Sequence, residues 1–393
     1  MKSDKELKKE LKKKASNAPD KYYATKSLKD EGFIRGKCDD CGTHFWSTDK
    51  DRKICGDSNC VKGFDVVKDN PCKNSLSYVD VWKKFKSHFE KRNYKGINRY
   101  PVVARWNPTT DFTIASIAAF QPFVVSGEID PPAKSLVIPQ FCLRFNDIDN
   151  VGVTGSHCTG FVMIGQHKFV EKNEWDINEV FLDIYSYLLE VIGLAKEELI
   201  LHEDAWAGGG NFGPCMEFFS RGVELFNQVY MMFEQTEDGT KELDKKVLDM
   251  GLGMERIAWF SQGKANLYEA VFPKVLKKLR KVIHVDYDVE LFQKFSKHSG
   301  MLNIDEVDDI NKVWDDIAKK LNQRSGDVLK EKILPMTAVY SVVEHARALL
   351  VALNGGMLPS NVGGGYNLRV ILRRALAFID HYKWDIDIRD IAL

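Results

Sequence analysis

Neither sign of charge is in excess in this 393-residue chain: lysine plus arginine and aspartate plus glutamate stand at 56 each. A chain-wide attraction for nucleic acid is thereby excluded, and any RNA contact has to come from a local patch. No run of about 18 apolar residues stands out, and the start has no apolar core of signal-peptide type. A membrane span and an export signal are therefore not expected, and a cytoplasmic protein is. Eight cysteines are too sparse for a disulfide scaffold in a chain of this length. No G-x-G-x-x-G turn follows an early strand, which disfavours a doubly wound dinucleotide-binding fold. No Ser/His/Asp or Cys/His grouping suggests a nucleophile, adjacent His157 and Cys158 do not make a dyad, and no internal repeat emerges.

What is present is a globular chain, 44% hydrophobic, long enough for two or three domains. Lys2 to Lys14 carries seven lysines among few apolar residues and reads as a solvated or frayed helix. Half of the cysteines follow close together. Cys38 and Cys41 are spaced C-x2-C, Cys55 and Cys60 C-x4-C, with Gly42 and Gly56 for tight turns. That pattern predicts a closed four-thiolate zinc site, with His44 as an alternative ligand, suited to organising a fold and not to catalysis.

Tyr78, Val81, Trp82, Phe85 and Phe89 recur at helical spacing and predict an amphipathic helix over 78–92. Five prolines between Pro101 and Pro132 exclude long helices from that stretch. Residues 135–138, 141–144, 161–164, 199–202 and 224–233 read as strands, and Asp176 to Leu194 as a capped helix. Strands outnumber crossover helices, which predicts an antiparallel sheet flanked by helices, an α+β fold. Helical periodicity over 274–283, 304–321, 340–353 and 366–382 makes the last third a helical domain, interrupted by a glycine-rich loop at 354–365.

One segment carries chemistry on its own. Leu248-Asp249-Met250-Gly251-Leu252-Gly253-Met254-Glu255-Arg256 sets two glycines, which let backbone approach a ligand, before a helix opened by Glu255 and Arg256. An arginine held there is a two-point phosphate clamp. The octapeptide D-x-G-x-G-x-E-R resembles the third signature motif of class II aminoacyl-tRNA synthetases, in the form carried by alanyl-tRNA synthetases. The strings Tyr100 to Trp106, Ile114 to Ala118 and Phe120 to Phe123 resemble the archaeal type of that family, and the likeness extends from the cysteine cluster to about Tyr382.

The resemblance implies a class II sheet and a set of roles. Arg144 matches the second-motif arginine on the α-phosphate of ATP and the substrate carboxylate; with Arg256 it is the expected catalytic pair. Phe161 is the expected adenine-stacking ring, and His157, Glu255 and Arg256 join the ATP site. Trp206, with the glycines that follow it, Asn227, Val229, Asp249 and Gly251 form the expected alanine pocket, Asp249 holding the α-ammonium. In the helical domain, Asn361 matches the asparagine that probes the distinguishing G·U pair of the tRNA(Ala) acceptor stem, and Arg369, Arg373 and Arg374 could meet phosphates.

The implied activity is alanine–tRNA ligation with ATP and Mg2+, zinc being structural. Two positions depart from the family: Ser156-His157 stands where Arg-His is usual, and Phe161-Val162-Met163 where Phe-Glu-Met is usual, removing one triphosphate contact and one adenine or loop contact. A paralogue adenylating another small amino acid for a non-tRNA acceptor and a non-catalytic RNA-binding or regulatory relic are therefore the rival readings. The expected division is a zinc-binding segment over 1–75, a catalytic domain over 76–272 and a partial helical tRNA-recognition domain over 273–393. A second chain supplying the family's further tRNA-binding and editing domains is an expected partner.

Overall fold

The computed structural model describes residues 2–67, 69–236, 239–285, 288–305 and 307–392. Its centre is one nine-stranded sheet. The strands are β1 (Ile34–Lys37), β2 (His44–Ser47), β3 (Lys95–Gly96), β4 (Ser135–Leu143), β5 (Gly160–Glu171), β6 (Ile200–Gly208), β7 (Asn211–Ser220), β8 (Val223–Thr236) and β9 (Gly239–Gly253). They lie in the order β1-β2-β6-β7-β8-β9-β5-β4-β3, and every neighbouring pair is antiparallel except β3 with β4. The expected antiparallel α+β architecture is the one observed.

The expected strands are present, with one difference from their sequence reading. Residues 135–138 and 141–144 belong to the single strand β4, which runs through Pro139. The glycine-bearing stretch after Trp206 is a tight hairpin of β6 and β7, Gly209 and Gly210 supplying the positive φ values of its turn. Sequence patterning places only the end of β9, since its lysine-rich first half, Gly239 to Lys246, hides the alternation, and it does not give β1, β2, β3 or β7.

Among the described residues nine helices have eight or more residues: α1 (Asp4–Asn17), α2 (Tyr78–Glu90), α3 (Ile177–Tyr187), α4 (Met254–Gln262), α5 (Pro273–Val282), α6 (Val289–Ser296), α7 (Ile310–Lys320), α8 (Gly326–Asn354) and α9 (Gly363–His381). Asp176 caps α3 by accepting from the N–H groups of Asn178 and Glu179, and Val180, Phe181 and Ile184 carry its buried face. A π-helical turn, Leu188–Ile192, completes the expected span, ending at Gly193 with φ +71°.

Two expectations need correction. The lysine-rich start is not frayed: Ser3 and Glu6 form a reciprocal capping box on α1, and Leu7, Leu11 and Ala15, spaced by four, are buried, the two leucines against Ala205 and Phe212. Burying two leucines stabilises that docking by about 3 kcal/mol or more, enough to outweigh the poor core content of the segment. The glycine-rich loop is shorter than expected, because Gly363, Gly364 and Gly365 form the first turn of α9. The helix α8 is long and apolar enough to cross a membrane, but 78% of its apolar window is buried inside the fold, so it is a core helix.

Candidate active site

Strand register lays out the floor of the site. Residues directly opposite one another in a sheet share a face, and two adjacent rows cross five strands. The first runs His167, Asp249, Val229, Cys215, Asp204; the second runs Gly165, Gly251, Asn227, Glu217, His202. Val229, Asp249, Asn227 and Gly251 line one cavity of about 310 Å3, with Trp206 on its wall. At Gly251 an added Cβ would stand 2.7 Å from the Met163 sulfur, so the floor is sunk there by the absence of a side chain. Asn227 Oδ1 is fully buried and has no hydrogen-bond partner.

The polar groups converge from three elements. Arg144, just past β4, donates from Nε to the Ile114 carbonyl at 2.8 Å, and its guanidinium lies 5.2 Å from the centre of the Phe161 ring. Gly253 caps α4, whose first turn places Arg256 on the same cavity. Arg256 Nη1 is held by Glu224, at 2.8 Å from its carbonyl and 3.0 Å from its carboxylate. Ser156 and His157 line the wall, and His157 Nδ1 sits 2.6 Å from the Thr154 hydroxyl. Every residue expected at the ATP and alanine sites borders this cavity: Arg144, His157, Phe161, Trp206, Asn227, Val229, Asp249, Gly251, Glu255 and Arg256.

Glu255 takes part differently from the others. Its carboxylate is nearly fully buried and accepts from the Val162 N–H through both oxygens, at 3.0 and 3.1 Å, and from the Tyr78 hydroxyl at 2.8 Å. Val162 thus meets this network through its backbone, while its side chain packs in the core.

Burial sets the electrostatics. It lifts Asp249 from an ordinary 3.8 to about 7, against the opposing pull of Arg144. His167, 3.6 Å away, is driven down to about 3 by burial despite its Nδ1 contact with the Leu248 carbonyl, so it stands beside Asp249 as a neutral imidazole. Farther along the floor, burial raises Glu217 well above the carboxylate range, and Asp204 adds to that. Asp204 resists its own burial through Lys12 and Lys8 of α1, at 3.1 and 2.8 Å, and stays low.

Two metal sites were expected. Sγ atoms of Cys38, Cys41, Cys55 and Cys60 all lie within 4.8 Å of one another, and Cys41 and Cys55 are 3.8 Å apart. A zinc–thiolate tetrahedron with bonds of about 2.3 Å has edges of about 3.8 Å, so the four sulfurs fit that ion. Backbone N–H groups of Cys41, Cys55 and Asp40 overcome burial and bring Cys38 down to about 6. His44 lies on β2, outside this group of four. The knuckle is tied to the floor, since the Gly56 N–H donates to His202 Nε2 at 3.0 Å. For Mg2+, Glu224 and Asn227, which both line the cavity, carry the hard oxygen donors such an ion takes.

Asn361, Arg369 and Arg373 lie elsewhere, exposed around the start of α9, with Arg369 donating to the Asn361 side-chain oxygen. Arg374 is engaged at 2.6 Å by Asp149. Sequence reasoning missed Glu224, whose only signal is a carboxylate three positions before Asn227 in an apolar strand. It also missed Arg347 of α8, whose Nη1 stands 3.0 Å from Glu255; a single arginine in a helical pattern gives no hint of a partner 92 residues upstream.

Comparison with known proteins accounts for this geometry. The family described as tRNA synthetases class II (A) matches residues 80–391. An alanine–tRNA ligase of Methanocella arvoryzae is 46% identical over 391 residues, covering 99% of this chain and 44% of that protein. A second, from Nitrosopumilus maritimus, is 40% identical over 386 residues, with 98% and 43% covered. The chain spans less than half the length of these curated relatives. With a family match over most of its length and the cavity above at the centre of its antiparallel sheet, the chain belongs to the class II (A) tRNA synthetases.

Proposed function

We propose that this chain activates alanine with ATP and passes it to the 3′ end of tRNA(Ala). The observation that carries the reading is the pairing, in one small cavity, of a buried carboxylate with two arginines. Asp249 matches the cationic end of an amino acid; Arg144 and Arg256 match the phosphates its other end must attack. Val229 and Trp206 leave room for a small side chain.

In this mechanism Asp249 holds the α-ammonium and turns the alanine carboxylate toward ATP, whose adenine stacks on Phe161. A carboxylate oxygen bonds to the α-phosphorus as the bond to the β-phosphate bridging oxygen breaks, and pyrophosphate leaves. Arg144 shares the charge on the α-phosphate and Arg256 that on the departing phosphates, with His157 at the same wall. Glu224 and Asn227 would hold Mg2+, which when bound neutralises phosphate charge. A terminal tRNA hydroxyl then attacks the adenylate carbonyl, AMP leaves, and positioning carries the rate without a protein nucleophile.

The same reading assigns residues 76–272 to catalysis, 1–75 to a zinc knuckle buttressing the sheet through His202, and 273–393 to acceptor-stem recognition by Asn361, Arg369 and Arg373. It places the protein in the cytoplasm with translation, with a further chain or segment supplying editing. Alanine-dependent ATP/pyrophosphate exchange tests it. Exchange with millimolar alanine that is lost in Arg256→Met supports the reading; no exchange sinks it, and exchange only with another small amino acid selects the paralogue reading.

A further inference from the structure

The adenine platform is a three-residue stretch, Gly160-Phe161-Val162, and its backbone is held from outside the sheet. Three residues on one face of α8, Glu344, Arg347 and Ala348, meet Gly160. The Gly160 N–H donates to Glu344 Oε1 at 2.6 Å, and Arg347 Nη2 donates to the Gly160 carbonyl. A Cβ at Gly160 would stand 2.9 Å from the Ala348 Cβ, so the helix lies directly against the backbone there. On the other side of Phe161, the Val162 N–H is held by Glu255, and Glu255 is paired with Arg347 Nη1.

Arg347 itself has little freedom. Its side chain is 17% exposed and its guanidinium lies over the rings of Phe272, Phe141 and Tyr78 at 4.8, 5.7 and 5.8 Å. Its Nη1 also donates to the Tyr78 hydroxyl at 3.2 Å, and that hydroxyl donates to Glu255. Arg347 therefore reaches both ends of the platform with two nitrogens of one rigid fork, which a lysine cannot do. Arg144, whose guanidinium lies over the Phe161 ring, is linked to the same helical hairpin. The N–H of Gly364 in α9 donates to Asp111 at 2.7 Å, and the segment after Asp111 presents the Ile114 carbonyl that fixes Arg144.

We propose that Glu344 and Arg347 are positioning residues for the nucleotide: they touch no substrate, but fix the backbone on both sides of Phe161 at the height at which it stacks under adenine. The claim deepens the proposed ATP-dependent activation and rests on it. Loosening the grip lets the ring tilt, which weakens ATP binding and leaves the alanine pocket on β8 and β9 as it was.

Calorimetric binding of ATP to the full chain without alanine, and the alanine KM in pyrophosphate exchange at saturating ATP, test this with four variants. Arg347→Met and Arg347→Lys are expected to bind ATP about tenfold more weakly with alanine KM within about twofold of the parent. Glu344→Leu behaves likewise, whereas Glu344→Gln, whose amide oxygen still accepts from Gly160, stays within about threefold of the parent. Should the arginine variants fail to fold, as judged by thermal melting, the Gln/Leu pair decides the matter alone. Unchanged ATP affinity in Glu344→Leu, equal losses in Gln and Leu, or alanine KM rising in step with ATP affinity overturns the proposal. ATP binding without alanine-dependent exchange in the parent refutes alanine activation while leaving the affinity comparison intact; a parent that binds no ATP overturns both.

Discussion

Replacing Asp249 with asparagine should make the protein more stable and inactive, and the size of the first effect follows from burial. The shift from 3.8 to about 7 corresponds to roughly 4 kcal/mol held against the charged form. The folded chain keeps this proton up to about pH 7, whereas the unfolded chain releases it near 3.8. The group's contribution to stability is thus present below 3.8 and is lost as pH rises through 7. Asparagine, nearly the same shape and never charged, removes that loss: a gain of about 2 to 4 kcal/mol is expected at pH 8 and a smaller one at pH 5. Ligand binding has the opposite dependence, because an ammonium pairs only with the ionised carboxylate. The alanine KM at saturating ATP should be level above pH 7 and rise about tenfold per unit below it. Melting curves at pH 5 and 8, and exchange kinetics between pH 6 and 8.5, read both effects. A flat KM from pH 6 to 8, or an Asp249→Asn protein that melts lower at pH 8, would refute the placement of a buried, ligand-seeking carboxylate here.

Three further outcomes are expected. Purified chain should carry a single zinc ion, and Cys41→Ser should lose both the metal and several degrees of melting temperature; a metal-free chain of full stability refutes the four-thiolate site. Replacing Lys8 and Lys12 together by methionine leaves Asp204 buried without its ammonium partners, and because both lysines are part-exposed the cost should be about 1 to 2 kcal/mol in thermal or urea unfolding; an effect no larger than that of exposed Lys5→Met removes the ion-pair account. Asn361→Ala should lower alanylation of tRNA(Ala) at least tenfold with exchange unchanged, and a parallel fall in exchange would take Asn361 out of RNA recognition.

What could be read in the residues beforehand divides along physical lines. The strand holding Phe161 to Ile164 was legible because its residues are densely apolar, with aromatic and β-branched side chains among them; central β7 and most of β9 were not, since a glycine in one and lysines in the other mask the alternation. The cysteine quartet was legible because metal ligation is written in local spacing. Alpha-1 was misread because seven lysines outnumber the three small apolar contacts that dock it, and docking depends on a receiving surface, Ala205 and Phe212, that lies about 200 positions away. The individual site residues came from a resemblance; geometry adds which of them are neighbours and how. Nothing in the spacing of Glu255 tells that its oxygens are spent on the Val162 backbone, and nothing in Glu224 tells that it holds Arg256. Those are facts about register and long-range packing, which periodicity does not encode.

The arginine that α8 inserts beside Glu255 also bears on how this molecule can be cut. A boundary drawn at residue 272 looks clean in sequence, falling between the last catalytic helix and a run of helices. A piece ending there would keep every group that lines the ATP and alanine cavity, yet Glu255 would lose its cationic partner and Gly160 both of its clamps. The smallest unit able to hold nucleotide should therefore extend at least through residue 354. Anyone trimming the chain from its C-terminal side should see ATP affinity collapse long before the first cavity-lining residue is reached.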